Sequence, residues 1–274
     1  MTTFILPALL GCAVGAFGTL IGVGGGFVLV PVLLWLNPDS PAETITSISL
    51  AVVFFNALSG TIAYARKKRI HFKSGLVFSL AALPGTILGA LSTAYIPRRM
   101  FDFIIGSLLM LVAAYLLLRP KPMVGREDSI SRGPGKIVVA HTDGNGKLHE
   151  FSYNLWLGLG LSTVVGFLSS ILGIGGGIIH VPALIHLLNF PVHLATATSH
   201  FILSLMAFTG SATHYLDGSM AGTFATILPL GLGAVIGAQI GARLSDRIGG
   251  TAIVRALAIA LFFVALRTIW QVWW

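Results

Sequence analysis

The chain has 274 residues, of which 55% are hydrophobic and only 9% are charged, and its formal net charge is +8. Soluble domains carry roughly 25% charged residues, so this chain has too few charges to cover a soluble protein of its size. The positive balance does not indicate a nucleic-acid partner, because five of the cations share the short gap of residues 66–73 between apolar runs. Such gaps are typical of cytoplasmic loops between membrane helices.

Eight apolar runs follow one another along the chain. Six are close to the ~20 residues that a spanning helix needs, and they cover residues 44–65, 74–96, 101–118, 194–216, 219–242 and 250–272. The first run, residues 4–36, and the fifth, residues 151–188, are too long for one crossing, and glycines interrupt both. We therefore expect an all-α, multi-pass protein of the cell inner (plasma) membrane.

A polar stretch rich in proline and glycine separates the fourth run from the fifth. It divides the chain into an N-terminal transmembrane repeat (1–119), a cytoplasmic linker (120–150) and a C-terminal transmembrane repeat (151–274). Two extended-looking segments in the linker flank the sequence Asp-Gly-Asn-Gly at residues 143–146, which is typical of a β-hairpin. Because an isolated two-stranded element is only marginally stable, a plain loop is an equal alternative.

The two transmembrane repeats share landmarks in the same order. The residues GVGGGFVLVP at 22–31 recur as GIGGGIIHVP at 173–182. A Thr-Ser pair occurs at residues 46–47 and again at 198–199. Two glycines four residues apart occur at 85 and 89 and again at 233 and 237. These matches predict two homologous repeats of four apolar runs, each beginning with a glycine-broken helix.

At these residues the chain resembles the TauE/SafE family of membrane transporters, which is associated with the export of sulfite and organosulfonates. The resemblance rests on the paired glycine elements, on the run Ala195–Phe201 around His200, and on the polar hairpin before the second half. It covers nearly the whole chain. The resemblance implies a small inorganic or organosulfur anion as the cargo.

Three successive glycines hold a regular helix poorly, since each costs about 1 kcal/mol against alanine. In lipid the freed amides need a partner, so a broken helix is typical of the wall of a cavity. Helices that restart after the breaks would direct amides with a partial positive charge into that cavity. The candidate binding glycines are Gly24, Gly25, Gly26, Gly175, Gly176 and Gly177. Close helix packing through small residues is the alternative explanation.

The positions of the charged residues favour an anionic or neutral cargo. All nine acidic residues lie in gaps or near the ends of runs, whereas cation carriers place an acid inside the membrane. The single cysteine, Cys12, allows neither an intramolecular disulfide nor a cysteine-based metal site. We expect no metal, no cofactor and no catalytic group.

The polar side chains within the runs are hydroxyls, amides and imidazoles. The candidate binding residues among them are Thr46, Ser47, Asn56, Thr198, Ser199 and His200. Single hydroxyls in such helices often bond a backbone carbonyl instead, so it is the recurrence of the Thr-Ser pair that favours Ser47 and Ser199. His200 and His214 are candidates for proton coupling, because imidazole titrates near neutral pH.

Charge counting favours inverted repeats. If every run crossed once, the basic gap at 66–73 and the acidic gap at Asp217 would share one side of the membrane. If the first and fifth runs instead fold back at their glycines as re-entrant hairpins, the basic gaps and the linker are cytoplasmic, and only Arg98 and Arg99 are misplaced.

The sequence thus predicts an exporter of sulfite or an organosulfonate that works by alternating access at a mid-membrane site between the two glycine-broken helices. An anion channel and a membrane scaffold protein without transport activity are the alternatives. An enzyme is not expected, because the runs contain no paired carboxylates, metal-ligand cluster or nucleophile with a neighbouring base.

Overall fold

The computed structural model describes residues 2–118, 135–144, 146–247 and 250–273, and these form helices apart from one two-stranded sheet. The helices of the first half are α1 (Thr2–Ile21), α2 (Gly26–Leu36), α3 (Ala42–Arg66), α4 (Phe72–Thr93) and α5 (Arg98–Leu118). Those of the second half are α6 (Leu155–Leu172), α7 (Gly177–His186), α8 (Val192–Leu216), α9 (Phe224–Leu244) and α10 (Gly250–Trp273). The strands are β1 (Lys136–Thr142) and β2 (Leu148–Asn154).

Within the described residues, α1, α3, α4, α6, α8 and α9 are long and apolar enough to cross a membrane. Their exposed side chains are largely Leu, Ile, Val and Phe, which suits a surface that faces lipid rather than water. The prediction of an all-α, multi-pass membrane protein is therefore confirmed.

Each long run is divided where the sequence has its glycines. Gly22, Gly24 and Gly25 have φ angles of 89°, 82° and 81°, in a region that residues with a side chain adopt only at a cost, so the helix cannot continue through them. The helix that restarts, α2, has 11 residues, or about 16 Å. This is half of the ~30 Å hydrocarbon core, so α2 is too short to cross a membrane and has the length of a re-entrant helix.

The central helices α3 and α8 run antiparallel. A methyl group added at Gly60 of α3 would meet His200 of α8, and one added at Gly210 of α8 would lie 3.0 Å from Leu50 Cδ1 of α3. Residue numbers thus rise along one helix as they fall along the other. Since α3 and α8 occupy corresponding places in the two halves, this pairing is what an inverted arrangement requires.

The flanking helices follow the same scheme. Helix α1 runs parallel to α9, with Gly15 against Ala234, and α4 runs parallel to α6, with Gly89 against Phe167. Helix α9 is also parallel to α3, since Gly231 faces Phe55 and Lys67 bonds the Ala242 carbonyl near the end of α9. Because α1 and α3 therefore share a direction, α2 must lead the chain back between them.

The ends of the helices define two faces of the molecule. The basic face carries residues 66–71, the hairpin of β1 and β2, and residues 243–247; the acidic face carries residues 37–41 and 217–223. Arg98 lies at the acidic face, but its Nη2 donates to the Leu34 carbonyl at 3.1 Å, and its Nε pairs with Asp102 at 3.1 Å. It therefore caps the C-terminus of α2 with its charge neutralised, which explains a cation that charge counting had misplaced.

The polar segment before the second half is a hairpin, one of the two alternatives that the sequence left open. β1 and β2 pair antiparallel, from Lys136 with Asn154 to Thr142 with Leu148. The Gly144 amide donates to the Lys67 carbonyl at 3.0 Å, which fixes the hairpin to the basic face. β2 extends past residue 150, the predicted end of the linker, and the predicted linker start at residue 120 lies outside the described residues.

Candidate functional site

The two glycine breaks, here called the glycine loops (residues 22–25 and 173–176), meet at the centre of the protein. A methyl group added at Gly26 would lie 2.7 Å from the Ile174 carbonyl oxygen, and one at Gly177 would lie 2.5 Å from Val23 Cα. Each re-entrant helix therefore begins directly against the opposite loop. The structure therefore brings Gly24–Gly26 and Gly175–Gly177 together, as the sequence led us to expect. Residues 22–27 and 173–178 are all buried.

The first turns of α2 and α7 carry amides without a backbone acceptor. The amides of Val28 and Leu29 donate to the Gly25 carbonyl, both at 3.1 Å. Among the described residues, the amides of Gly26, Phe27 and Ile178 have no backbone acceptor. Unpaired amides at a helix N-terminus carry a partial positive charge, so two such ends give this buried centre a positive potential without any Lys or Arg.

Two apolar side chains close the space between the loops. A methyl group at Gly24 would overlap Leu203 Cδ2, and one at Gly175 would lie 2.6 Å from Val53 Cγ1. Val53 and Leu203 occupy corresponding places on α3 and α8 and are almost fully buried. Two surface grooves, of about 420 and 520 Å³, are lined by residues outside the glycine loops. Because residues 22–27 and 173–178 are buried, the site is closed in this conformation.

A polar cluster lies beside the first loop on its basic-face side. The Thr19 hydroxyl donates to Asn56 Oδ1 at 2.9 Å, and His200 Nε2 lies 3.1 Å from the same hydroxyl oxygen. Because the Thr19 proton is used by Asn56, His200 must donate from Nε2. Tyr64 donates to the Thr19 carbonyl at 2.7 Å and packs edge-on against the imidazole.

The cluster keeps unused hydrogen-bonding capacity. Asn56 Nδ2 and His200 Nδ1 are buried and have no hydrogen-bond partner in the described part of the chain. Asn56 Nδ2 can donate two hydrogen bonds, and His200 Nδ1 can donate when the ring is protonated. The Gly22 carbonyl lies beside this imidazole.

The structure corrects the pairing of hydroxyls between the halves. Ser199 donates to the Gly22 carbonyl at 3.1 Å, and its counterpart is Ser49, which donates to the Gly173 carbonyl at 2.7 Å. Ser47, which the sequence paired with Ser199, donates within its own helix to the Thr44 carbonyl at 2.9 Å. The error was a shift of two residues, which the prolines preceding α3 and α8, Pro41 and Pro191, would have revealed.

The remaining predicted residues lie at different levels of the site. Thr46 lies against Gly173, and its buried hydroxyl has no partner in the described residues. Thr198 lies toward the basic face, where its hydroxyl accepts the His71 amide at 3.2 Å. His214 lies near the acidic face beside Glu43 and Asp217, about 20 Å along α8 from His200. The two candidate histidines are therefore not brought together. Sequence reasoning did not identify Thr19 or Tyr64, since neither lies in a repeated motif.

A second polar network closes the basic face. His71 Nδ1 lies 2.8 Å from Ser74 Oγ, which lies 2.6 Å from the Tyr153 hydroxyl of β2. Burial, followed by the neighbouring His141 and Lys73, lowers the pKa of His71, so the ring is held neutral. Burial raises the pKa of Tyr153. These contacts tie the hairpin to the first turn of α4.

Comparison with known proteins agrees with this architecture. Residues 7–268 match the family model described as "Sulfite exporter TauE/SafE". The chain is 33% identical over 275 residues to a probable membrane transporter protein, YunE, of Bacillus subtilis, covering 98% of each chain. It is 28% identical over 226 residues to a probable membrane transporter protein of Methanocaldococcus jannaschii, covering 80% of this chain and 75% of that one. No solved structure matches. With its spanning helices and broken repeats, this chain belongs to the TauE/SafE family of membrane transporters.

Proposed function

We propose that the protein exports a small oxyanion, sulfite or an organosulfonate, by alternating access at the centre where the two glycine loops meet. The observation that carries this proposal is the approach of two helix N-termini to one buried point, with amides that lack a backbone acceptor. Such ends bind anions through N–H donors and the helix dipole, and they deliver no full charge that would prevent release.

The polar cluster supplies the other donors. Asn56 Nδ2 would donate to an anion oxygen, and His200 would add a donor and a positive charge when protonated. Because His200 also bonds Thr19 and lies beside the Gly22 carbonyl, a proton on this ring would couple anion binding to the conformation of the loop.

The opposite directions of the two halves support alternating access. Inverted repeats allow one half to adopt the conformation of the other, so that a central site opens to either face in turn. The basic face would be cytoplasmic, in accordance with the positive-inside rule. Val53 and Leu203 would form the constriction that moves during this exchange.

The test is sulfite flux in proteoliposomes that contain the purified protein, with sulfate, thiosulfate and short sulfonates as competitors. Asn56→Ala removes the unpaired donor, together with the acceptor of the Thr19 hydroxyl, and should reduce sulfite affinity by at least about tenfold, the lower limit for one hydrogen bond to a charged group. Ser47→Ala is the matched control, since its hydroxyl bonds only its own helix, and it should transport normally. Absence of flux for every anion in the wild-type protein would refute the proposal.

A further inference from the structure

A groove lies at the basic face between the hairpin and the start of α4. Its volume is about 420 Å³. Residues 137–140, which are consecutive in β1, line one side of it, and His71, Lys73 and Val77 line the other. Because four neighbouring residues of one strand take part, the groove runs along the edge of β1.

This edge of β1 carries backbone donors that β2 does not use. The Leu155 amide donates to the Gly135 carbonyl at 2.9 Å, and in an antiparallel pair such bonds recur at every second residue. The amides of Val138 and Ala140 therefore point away from β2. Within the described residues they have no backbone acceptor in another segment. Val138 is 44% exposed, so this edge is open to a ligand.

Lys73 brings an unpaired positive charge to the same groove. Its side chain is exposed, and none of the salt bridges among the described residues includes it. Lys67 and Arg69 of the same face, in contrast, both pair with Asp246. A lysine ammonium beside outward-pointing amides is suited to bind a phosphate group.

The groove lies where two spanning helices begin. The spans of α4 and α6 start at Phe72 and Leu155, and Leu155 also lines the groove. Trp156 is 72% exposed, as is typical of an indole ring at a membrane boundary. Val77 and Leu80 are exposed one turn apart on α4, so they share one side of the helix. The groove therefore has a cationic end at the boundary and an apolar end toward the lipid tails.

We propose that this groove binds an acidic phospholipid of the cytoplasmic leaflet. Lys73 and the amides of Val138 and Ala140 bind the phosphate of its headgroup, and one acyl chain lies along Val77 and Leu80. Acidic lipids of this leaflet are attracted to lysines near the membrane surface. The bound lipid joins β1 to α4 and so stabilises the hairpin on the basic face. A second copy of the chain fits less well, because it would bring the same cation to the groove.

The experiment titrates the purified full-length protein in detergent with phosphatidylglycerol, phosphatidylcholine or inorganic phosphate. Native mass spectrometry measures lipid affinity, and the melting temperature measures stabilisation. Lys73→Gln removes the charge of the groove, and Lys73→Arg keeps it. Lys147→Gln is the matched control, because it removes the same charge from an exposed position of the hairpin that does not line the groove.

We expect phosphatidylglycerol to bind the wild-type protein and to raise its melting temperature, and we expect the same of Lys147→Gln and Lys73→Arg. Phosphatidylcholine, whose choline group neutralises the phosphate, and inorganic phosphate should have little effect. Lys73→Gln should bind phosphatidylglycerol at least about tenfold more weakly and lose the rise in melting temperature. Equal binding by Lys73→Gln and the wild-type protein, or an equal loss in Lys147→Gln, would overturn the site. Equal stabilisation by inorganic phosphate would also overturn it, because the ligand would then be a free anion.

Discussion

At the scale of single residues, the centre of the protein places hydrogen-bond donors directly beside apolar side chains. Backbone amides and the Asn56 amide offer donors, while Val53 and Leu203 fill the space between the glycine loops. Polar groups in such a place are costly when they lack partners. The arrangement is therefore consistent with a site that is closed now and filled by an anion in another conformation.

The apolar constriction predicts an uncoupled variant. Replacing Val53 and Leu203 together by alanine should open a continuous path and give a passive sulfite leak that the wild-type protein lacks. Val52→Ala is the control, because it shortens a similarly buried side chain of α3 that packs in the main core instead of between the loops. Passive flux is measured in proteoliposomes without a gradient of pH. A leak in Val52→Ala, or none in the double variant, would contradict the assignment.

The glycine loops predict a strong effect of the smallest substitution. Gly25 and Gly176 have φ angles of 81° and 76°, and a methyl group at Gly25 would lie 2.6 Å from Val14 Cγ1. Alanine at either position should cost at least about 1–2 kcal/mol of backbone strain and abolish flux.

Gly160 provides the matched control for these variants. It lies exposed on α6, and a methyl group there would meet nothing within 4 Å. Gly160→Ala should therefore raise the melting temperature slightly, since alanine favours a helix by roughly 0.5–1 kcal/mol over glycine. Melting temperature and flux per folded protein distinguish the two outcomes, and normal flux in both loop variants would leave close packing as the only role of these glycines.

At the scale of elements, the first turn of α4 depends on a neutral histidine. The Ser74 amide donates to His71 Nδ1, and Ser74 Oγ links this cap to Tyr153 of the hairpin. A proton on Nδ1 would remove the acceptor and bring a positive charge to a helix N-terminus, where cations are unfavourable. His141 of β1 and Lys73 of α4 are the neighbours that oppose this charge.

The cap predicts a loss of stability in acid. Because the folded pKa of His71 lies below its ordinary value of 6.5, its contribution to stability is present above that pH and is lost as the pH falls through the folded pKa. Wild-type protein in detergent should therefore lose more melting temperature between pH 8 and pH 5 than His71→Asn, which caps without titrating. An equal loss in both proteins would assign the pH dependence to other groups.

At the scale of the whole molecule, the directions of the helices decide the topology. Helices α1, α3 and α9 run one way, and α8 runs the other way against α3. The first half therefore begins at the acidic face and ends at the basic face, and the second half does the reverse. The re-entrant helices α2 and α7 make this possible, since each returns the chain without a crossing.

This topology predicts the sidedness of three cysteine probes in a Cys12→Ala background. Asp39, Arg66 and Ala221 are exposed in loops or at a helix end. Cysteines at Asp39 and Ala221 should react with an impermeant maleimide from outside the cell, and a cysteine at Arg66 should react only after the membrane is opened. Reaction of the Arg66 and Ala221 probes from the same side would contradict the inverted arrangement.

The sequence by itself determined the class of the protein and the places where its helices break. The hydrophobicity of a segment is a sum over neighbouring residues, and a run of glycines weakens a helix whatever surrounds it. The membrane helices and their breaks can therefore both be read from local sequence. The hairpin was readable in the same way from the turn at residues 143–146, although its stability was not.

Only the tertiary structure decided which polar groups meet. Thr19 joins Asn56 and His200 because α1 and α8 pack against the same stretch of α3. Ser49 rather than Ser47 is the counterpart of Ser199, because one position faces the opposite loop and the other faces its own helix. Arg98 caps α2, because α5 begins beside the end of that helix. Its charge therefore does not mark a cytoplasmic loop. These facts depend on contacts between segments far apart in the chain, and no local pattern carries them.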